Sequence, residues 1–220
     1  FSGHVGGPLS QNEFKLVDVE ELNYTNRDVD EQGRPRPRGE VWVRGPNIIP
    51  GYYLNDEENA NAFTSDGWMR SGDIGQINPN GNRLQIIDRK KNIFKLSQGE
   101  YIAPEKLESA YKVSNPLIGD VFVYGDSFKS VLVGIVNVER QNLVRLANDL
   151  GVQGDEATLA ESDAFKAAII NLFNAEAKNR NFNRLEQLKK IRIESRPFAD
   201  LGLLTATFKK KRNEFKTYYQ

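Results

Sequence analysis

The chain has 220 residues, 39% hydrophobic and 27% charged, with thirty Lys and Arg against thirty Asp and Glu. At roughly 100 to 200 residues per domain this suits one or two folded domains with a real core, and it excludes overall disorder or a fibrous repeat. Net neutrality leaves no global field to gather nucleic acid or an anionic membrane, and the absence of cysteine excludes disulfides and thiolate chemistry.

Phe1 to Leu9 contain no basic region followed by an apolar stretch, and no apolar run is long enough to span a bilayer. Any targeting or anchoring segment is therefore expected outside this chain, whose start at Phe1 without Met reads as internal. Phe14-Lys15-Leu16-Val17-Asp18-Val19 and Glu40-Val41-Trp42-Val43-Arg44 alternate like half-buried strands, and Arg83 to Ile87 is a further apolar-rich run. Between the first two, Asn26 to Gly39 holds Arg34-Pro35-Arg36-Pro37-Arg38 and reads as an exposed connector, since proline removes donors and arginines prefer water. Asn80-Gly81 is a hairpin signal, because both residue types tolerate positive φ.

After Asp88 the pattern changes to alternating helix and strand. Pro104-Glu105 opens a helix expected to run to about Ser114, with proline in the first turn and an acid at the positive end of the dipole. Val121 to Tyr124 and Val131 to Val138 are nearly continuous apolar runs and read as buried strands. Leu143, Leu146, Ala147 and Leu150 share one helical face, as do Phe165, Ile169, Leu172 and Phe173, with a break at Gly151 to Asp155. The expected fold class is α+β: a β-rich unit over 1–88 followed by an α+β unit over 89–220.

The densest chemistry lies between Asp66 and Glu108. In order come Asp66-Gly67-Trp68, Arg70-Ser71-Gly72-Asp73-Ile74-Gly75, Ile87-Asp88-Arg89-Lys90-Lys91-Asn92-Ile93-Phe94-Lys95, and Gly99-Glu100-Tyr101-Ile102-Ala103-Pro104-Glu105-Lys106-Leu107-Glu108. A second segment is Gly202-Leu203-Leu204-Thr205-Ala206-Thr207-Phe208-Lys209-Lys210-Lys211-Arg212. A carboxylate at Asp73, after a Ser-Gly turn at a strand start, could accept bonds from two neighbouring ribose hydroxyls, or could simply cap the turn. Arg89 suits ribose and phosphate oxygens, or water at a strand end. Lys209 to Arg212 could be a basic patch or a solvated helix start, but without interleaved aromatics in a neutral chain nucleic acid is disfavoured. His4, the only histidine, lacks the spacing of a metal ligand or catalytic dyad and is read as structural, and no metal site is expected in this chain.

In order, spacing and identity these segments resemble the motifs of adenylate-forming enzymes: acyl-CoA synthetases, peptide-synthetase adenylation domains and luciferases. The Phe94 to Tyr101 version, with one residue more before Gly99 than most relatives have, is similar to the long-chain fatty acyl-CoA synthetase branch. Gly3 to Leu9, Lys15 to Glu21, Gly39 to Pro46 and Gly51-Tyr52-Tyr53 extend the likeness over most of the chain. The resemblance implies a distal β-subdomain of the large AMP-binding domain followed by a mobile carboxyl-terminal domain. It also implies that Asp73 and Arg89 hold the ribose and that Lys91 is the hinge. Lys95 would face the reacting centre in the thioester-forming pose, Gly99 would line the coenzyme A channel, and Lys209 would be the catalytic lysine. Ala206 stands where the family has proline, which is expected to loosen the loop presenting Lys209.

By the same resemblance the substrates are ATP, a long-chain fatty acid and coenzyme A, with magnesium held by ligands outside this chain. Membrane association would come through regions absent here, on the cytosolic face of intracellular membranes such as endoplasmic reticulum, mitochondrial outer membrane or peroxisome. The family's glycine-rich phosphate loop and Tyr-Gly-x-Thr-Glu segment do not occur, so the chain reads as a fragment expected to be inactive alone, with an orphaned apolar face. The alternatives are a non-catalytic regulatory or interaction module descended from the family, and a ligase for another carboxylic acid.

Overall fold

The computed structural model describes residues 4–219 and divides into two compact units, Phe1–Ile93 and Phe94–Gln220. Gly3, the first residue of one quoted motif, and the chain start at Phe1 lie outside the described residues. The division falls a few residues beyond the expected boundary at Asp88, because the short 3-10 turn Lys90–Asn92 packs back on the first unit's sheet.

The first unit is an antiparallel meander of β1 (Glu13–Val17), β2 (Arg38–Arg44), β3 (Met69–Asn78) and β4 (Arg83–Arg89), paired in chain order. Val41, Trp68 and Ile74 are buried with Val19, Leu22 and Tyr24. On the β1–β3 surface a run of cations and rings interleaves: the Lys15 ammonium lies 4.9 Å from the Trp42 ring and 4.2 Å from the Trp68 ring, with Arg44 4.6 Å from Trp68. Each such contact in a partly desolvated site adds about 0.5–2 kcal/mol. Helix α1 (Asp56–Ala62) is mostly polar, burying only Ala62, and starts on Asn55, whose side chain accepts from the Glu58 N–H at 3.2 Å.

Two details differ from the sequence expectations. The segment Asn26 to Gly39 is largely exposed up to Pro35, as expected, but Arg36 donates twice to Gln76 Oε1 (3.0 and 2.6 Å), Arg38 pairs with Asp28 at 2.7 Å, and β2 already begins at Arg38. In the β3–β4 connection the positive φ values fall on Gly81 (96°) and Asn82 (49°), one residue later than the Asn80-Gly81 pair suggested.

In the second unit a hairpin of β5 (Phe94–Lys95) and β6 (Tyr101–Ile102) leads into α2 (Pro104–Lys112). The main sheet is β7 (Asp120–Tyr124), β8 (Leu132–Asn137) and β9 (Leu188–Glu194) in that order, with β8 and β9 parallel. Their crossover contains α3 (Leu143–Asp149), α4 (Glu156–Leu159) and α5 (Asp163–Asn179). The Ser162 hydroxyl caps α5 by accepting from the Phe165 N–H at 3.3 Å.

Strand alternation gives the sheet two apolar faces. Val121, Val123, Leu132 and Val136 join Leu107, Tyr111, Phe165, Ile169 and Phe173, so α2 and α5 cover one face. Phe122 and Ile135 join Phe198, Leu203 and Phe215, so α6 (Arg212–Tyr219) covers the other. Phe215 is fully buried, stacked on Phe122 at 4.2 Å and edge-on to Phe198 at 4.8 Å. The α+β expectation is met, with α2 ending at Lys112 and α3 at Asp149, ahead of Gly151.

Candidate functional site

In the first unit Asp73 and Arg89 lie directly opposite each other on β3 and β4. The Arg89 Nε donates to Asp73 Oδ1 at 2.7 Å, and both side chains are partly exposed, 43% and 28% respectively. Asp73 is inside β3 rather than at a strand start, as the sequence suggested. The reason is a bulge: β2 pairs Glu40 with Ile74 and Trp42 with Arg70, leaving Val41 alone to face Ser71, Gly72 and Asp73. Gly72 takes φ +70° there, which a side chain would disfavour.

The bulge is fastened from within. The Ser71 hydroxyl donates to Val41 O at 2.6 Å and accepts from the Asp73 N–H at 3.0 Å, while the Gly72 N–H donates to Glu40 Oε1 at 3.2 Å. Glu40 is buried, and its other oxygen lies 3.6 Å from the Lys90 ammonium, which also pairs with Glu21 at 3.0 Å. Glu40 therefore touches both the bulge that presents Asp73 and the turn that carries Lys91. Sequence reasoning gave Glu40 no role, although an acid among strand apolars signals a buried partner. Lys91 is exposed in that 3-10 turn, just before the boundary between the units.

The other expected site residues lie in the second unit. Lys95 is exposed on β5, its ammonium 5.1 Å from the Tyr101 ring. Gly99 closes the β5–β6 hairpin with φ +89°, donating to Leu96 O at 2.9 Å, and a Cβ there would meet Lys95 Cε at 3.8 Å. The structure thus places Lys95 and Gly99 on one hairpin. That hairpin is tied to the β7–β8 connection by Ser97 N–H to Lys129 O, 3.1 Å.

Lys209 projects from a tight loop between β9 and α6. Thr205 organises it: its N–H donates to Lys209 O at 2.8 Å, and its Oγ1 accepts from the N–H groups of Thr207 (3.3 Å) and Lys209 (3.1 Å). Phe208 completes the turn at φ +59°. Ala206 lies in this loop, which hydroxyl and backbone bonds from Thr205 constrain.

The run Lys209 to Arg212 is not a basic patch. Lys210 contacts Asp120 at 2.9 Å and Glu108 at 3.4 Å, Arg212 donates to both Glu108 oxygens at 3.0 Å each, and Lys211 pairs with Glu214 at 3.1 Å. Glu108 is 3% exposed and also accepts from the Val123 N–H at 2.9 Å. Burial pushes its carboxyl up, and the two cations and the amide pull it back toward the ionised form. Its position among Leu107, Ala110 and Tyr111 on the inward face of α2 is the signal that sequence reasoning could have used.

No family model matches the chain. Curated relatives do match along its length. It is 44% identical over 220 residues to the peroxisomal long chain acyl-CoA synthetase 6 of Arabidopsis thaliana, covering 99% of this chain and 30% of that protein. It is 46% identical over 222 residues to fatty acyl-CoA synthetase A of Dictyostelium discoideum, covering 99% and 32%. To human long-chain-fatty-acid–CoA ligase 6 it is 44% identical, covering 100% and 30%. The chain thus spans about a third of the length of these relatives.

Among solved structures, the adenylation domain of the Mycobacterium chelonae carboxylate reductase aligns with 94% of this chain and 29% of its own, at TM-score 0.76 and 35% identity. The corresponding Segniliparus rugosus domain, solved in complex with AMP and a co-purified carboxylic acid, aligns over 94% and 30% at TM-score 0.77 and 33% identity. With the segments from Arg70 to Glu108 and from Leu204 to Arg212 folded as described, these relationships show that the chain is homologous along its whole length to about a third of the length of long-chain fatty acid–CoA ligases and folds like the matching part of AMP-binding adenylation domains.

Proposed function

We propose that this chain supplies the ribose grip, the hinge and the catalytic lysine of a long-chain fatty acid–CoA ligase. In the proposed first step a fatty carboxylate oxygen attacks the α-phosphorus of ATP, forming acyl-adenylate as the bond to pyrophosphate breaks. In the second, the coenzyme A sulfur attacks the acyl carbon and AMP leaves. The observation that carries the reading is the in-register Asp73–Arg89 pair, half open to solvent, in a chain homologous along its length to such ligases. A carboxylate already oriented by a guanidinium has lone pairs left for two vicinal hydroxyls, and the guanidinium keeps donors for phosphate oxygens.

Lys209 is assigned to adenylation, where a point charge on a long stem meets the carboxylate and α-phosphate as negative charge redistributes. Lys95 and Gly99, on their shared hairpin, are assigned to the thioester step. The magnesium that accompanies ATP is assigned to ligands outside this chain, where it would offset phosphate charge. Because the chain spans about a third of its relatives, the phosphate loop and acyl tunnel are assigned to the remainder, and the isolated chain is not expected to turn over ATP.

The test is the pair of half-reactions in the full-length enzyme. Lys209→Ala should lower acyl-adenylate formation by about 10²–10³-fold, the usual loss for one transition-state charge contact. Thioester formation from supplied acyl-adenylate should persist. Equal falls in both half-reactions would sink the assignment.

A further inference from the structure

We infer that Glu108 is the positioning residue for Lys209: a buried carboxylate on α2 that clamps the Lys209 loop to the edge of the β7–β8–β9 sheet and neutralises the cations flanking it. The inference rests on the assignment of Lys209 to adenylation.

The geometry is a loop with two anchored legs. The leg entering from β9 is held by apolar packing, with Leu203 buried against Phe122, Phe198 and Phe215. The leg leaving toward α6 is held ionically, by Lys210 and Arg212 on Glu108 and by Lys210 on Asp120. Between them the Leu204–Lys210 bridge and the bond from the Lys211 N–H to Leu203 O (2.9 Å) tie the legs together, and Lys209 sits at the exposed end. β7 pairs only with β8, so the Val123 N–H faces outward from the sheet, and Glu108 accepts it at 2.9 Å. One carboxylate thereby joins α2, the sheet edge and the loop.

Charge gives a second reason. Within the Lys209 to Arg212 run, Lys210, Lys211 and Arg212 each have a carboxylate partner, whereas among the described residues no ion pair is made by the Lys209 ammonium. Glu108 and Asp120 therefore leave a single lysine of the loop to meet a developing anion, and they hold its neighbours back from competing. A buried carboxylate shared by two cations is costly unless its geometry is fixed, so the site specifies a register as much as it stabilises.

The experiment is Glu108→Gln in the full-length enzyme, which keeps the size and an acceptor for the Val123 N–H but removes the charge. Acyl-adenylate formation should lose kcat by roughly tenfold or more, with KM for ATP little changed and thioester formation from supplied acyl-adenylate retained, as for an interaction made only in the transition state. Because both residues would act through one contact, Glu108→Gln combined with Lys209→Ala should be no slower than Lys209→Ala alone. Normal adenylation, a parallel fall in both half-reactions, or additive losses in the double variant would each overturn the inference. If Glu108→Gln does not fold, the more exposed Lys210→Gln carries the test, and unaltered adenylation there overturns it. Lys209→Ala with adenylation intact would instead overturn the assignment of Lys209, which separates the two failures.

Discussion

Asp73 and Arg89 are too exposed for their ion pair to matter greatly to stability, since pairs of this kind contribute about 0–1 kcal/mol. Their value is geometric. The bulge fastened by Ser71 and Glu40 fixes where the carboxylate points, and in the proposed role this would lower the ordering cost of binding a nucleotide. Asp73→Ala should therefore weaken ATP binding in the full-length enzyme by about tenfold or more, at 1–3 kcal/mol for a charge-assisted hydrogen bond, while leaving the melting temperature nearly unchanged. Unchanged nucleotide affinity by calorimetric titration would remove Asp73 from the site. Asp73, Arg89 and Lys209 were singled out by motif order and spacing. The supporting carboxylates at 40 and 108 were not, because a partner distant in sequence is what makes an inward acid tolerable. Glu108 and Arg212 are joined only by the fold.

Among the elements, strands with alternating residue types and strands with continuous apolar runs were the ones that the sequence revealed. β1 and β2 alternate in residue type although their burial does not follow a strict alternation, while β7 and β8 read as continuous apolar runs because helices cover both faces. β9 was missed: Leu188-Lys189-Lys190-Ile191-Arg192-Ile193-Glu194 has lysines and an arginine that suggest surface, and its place is set by parallel pairing with β8 across a long crossover. α1 was missed for the opposite reason, having no apolar stripe to detect. α6 is the element on which the Lys209 loop depends, and Phe215 is its anchor. Phe215→Ala should destabilise the second unit by about 3–5 kcal/mol, the usual loss for a buried aromatic. Chemical denaturation followed at that unit checks it, and a loss under about 1 kcal/mol would show that α6 contributes little to the core.

At the scale of the whole molecule, the turn Lys90–Asn92 is the short connection next to the division between the units, and Lys91 is its exposed middle residue. A 3-10 residue has φ near −50 to −70°, which proline also adopts, so Lys91→Pro suits the conformation described and resists departure from it. If catalysis needs the second unit to swing, this variant should slow one half-reaction by roughly tenfold or more and spare the other, as expected when a hinge must absorb a large dihedral change. Two unaffected half-reactions, or two equally slowed, would argue against a pivot at Lys91.

The separate cores of the two units also decide what heating this chain can reveal. One body holds its apolar side chains around a meander and the other around a helix-covered mixed sheet. A molecule assembled this way has no obligation to melt in a single cooperative step, and one midpoint would then average two quantities. A calorimetric trace is better read as a pair of transitions, one owned by the unit that carries Asp73 and Arg89 and the other by the unit that carries Lys209.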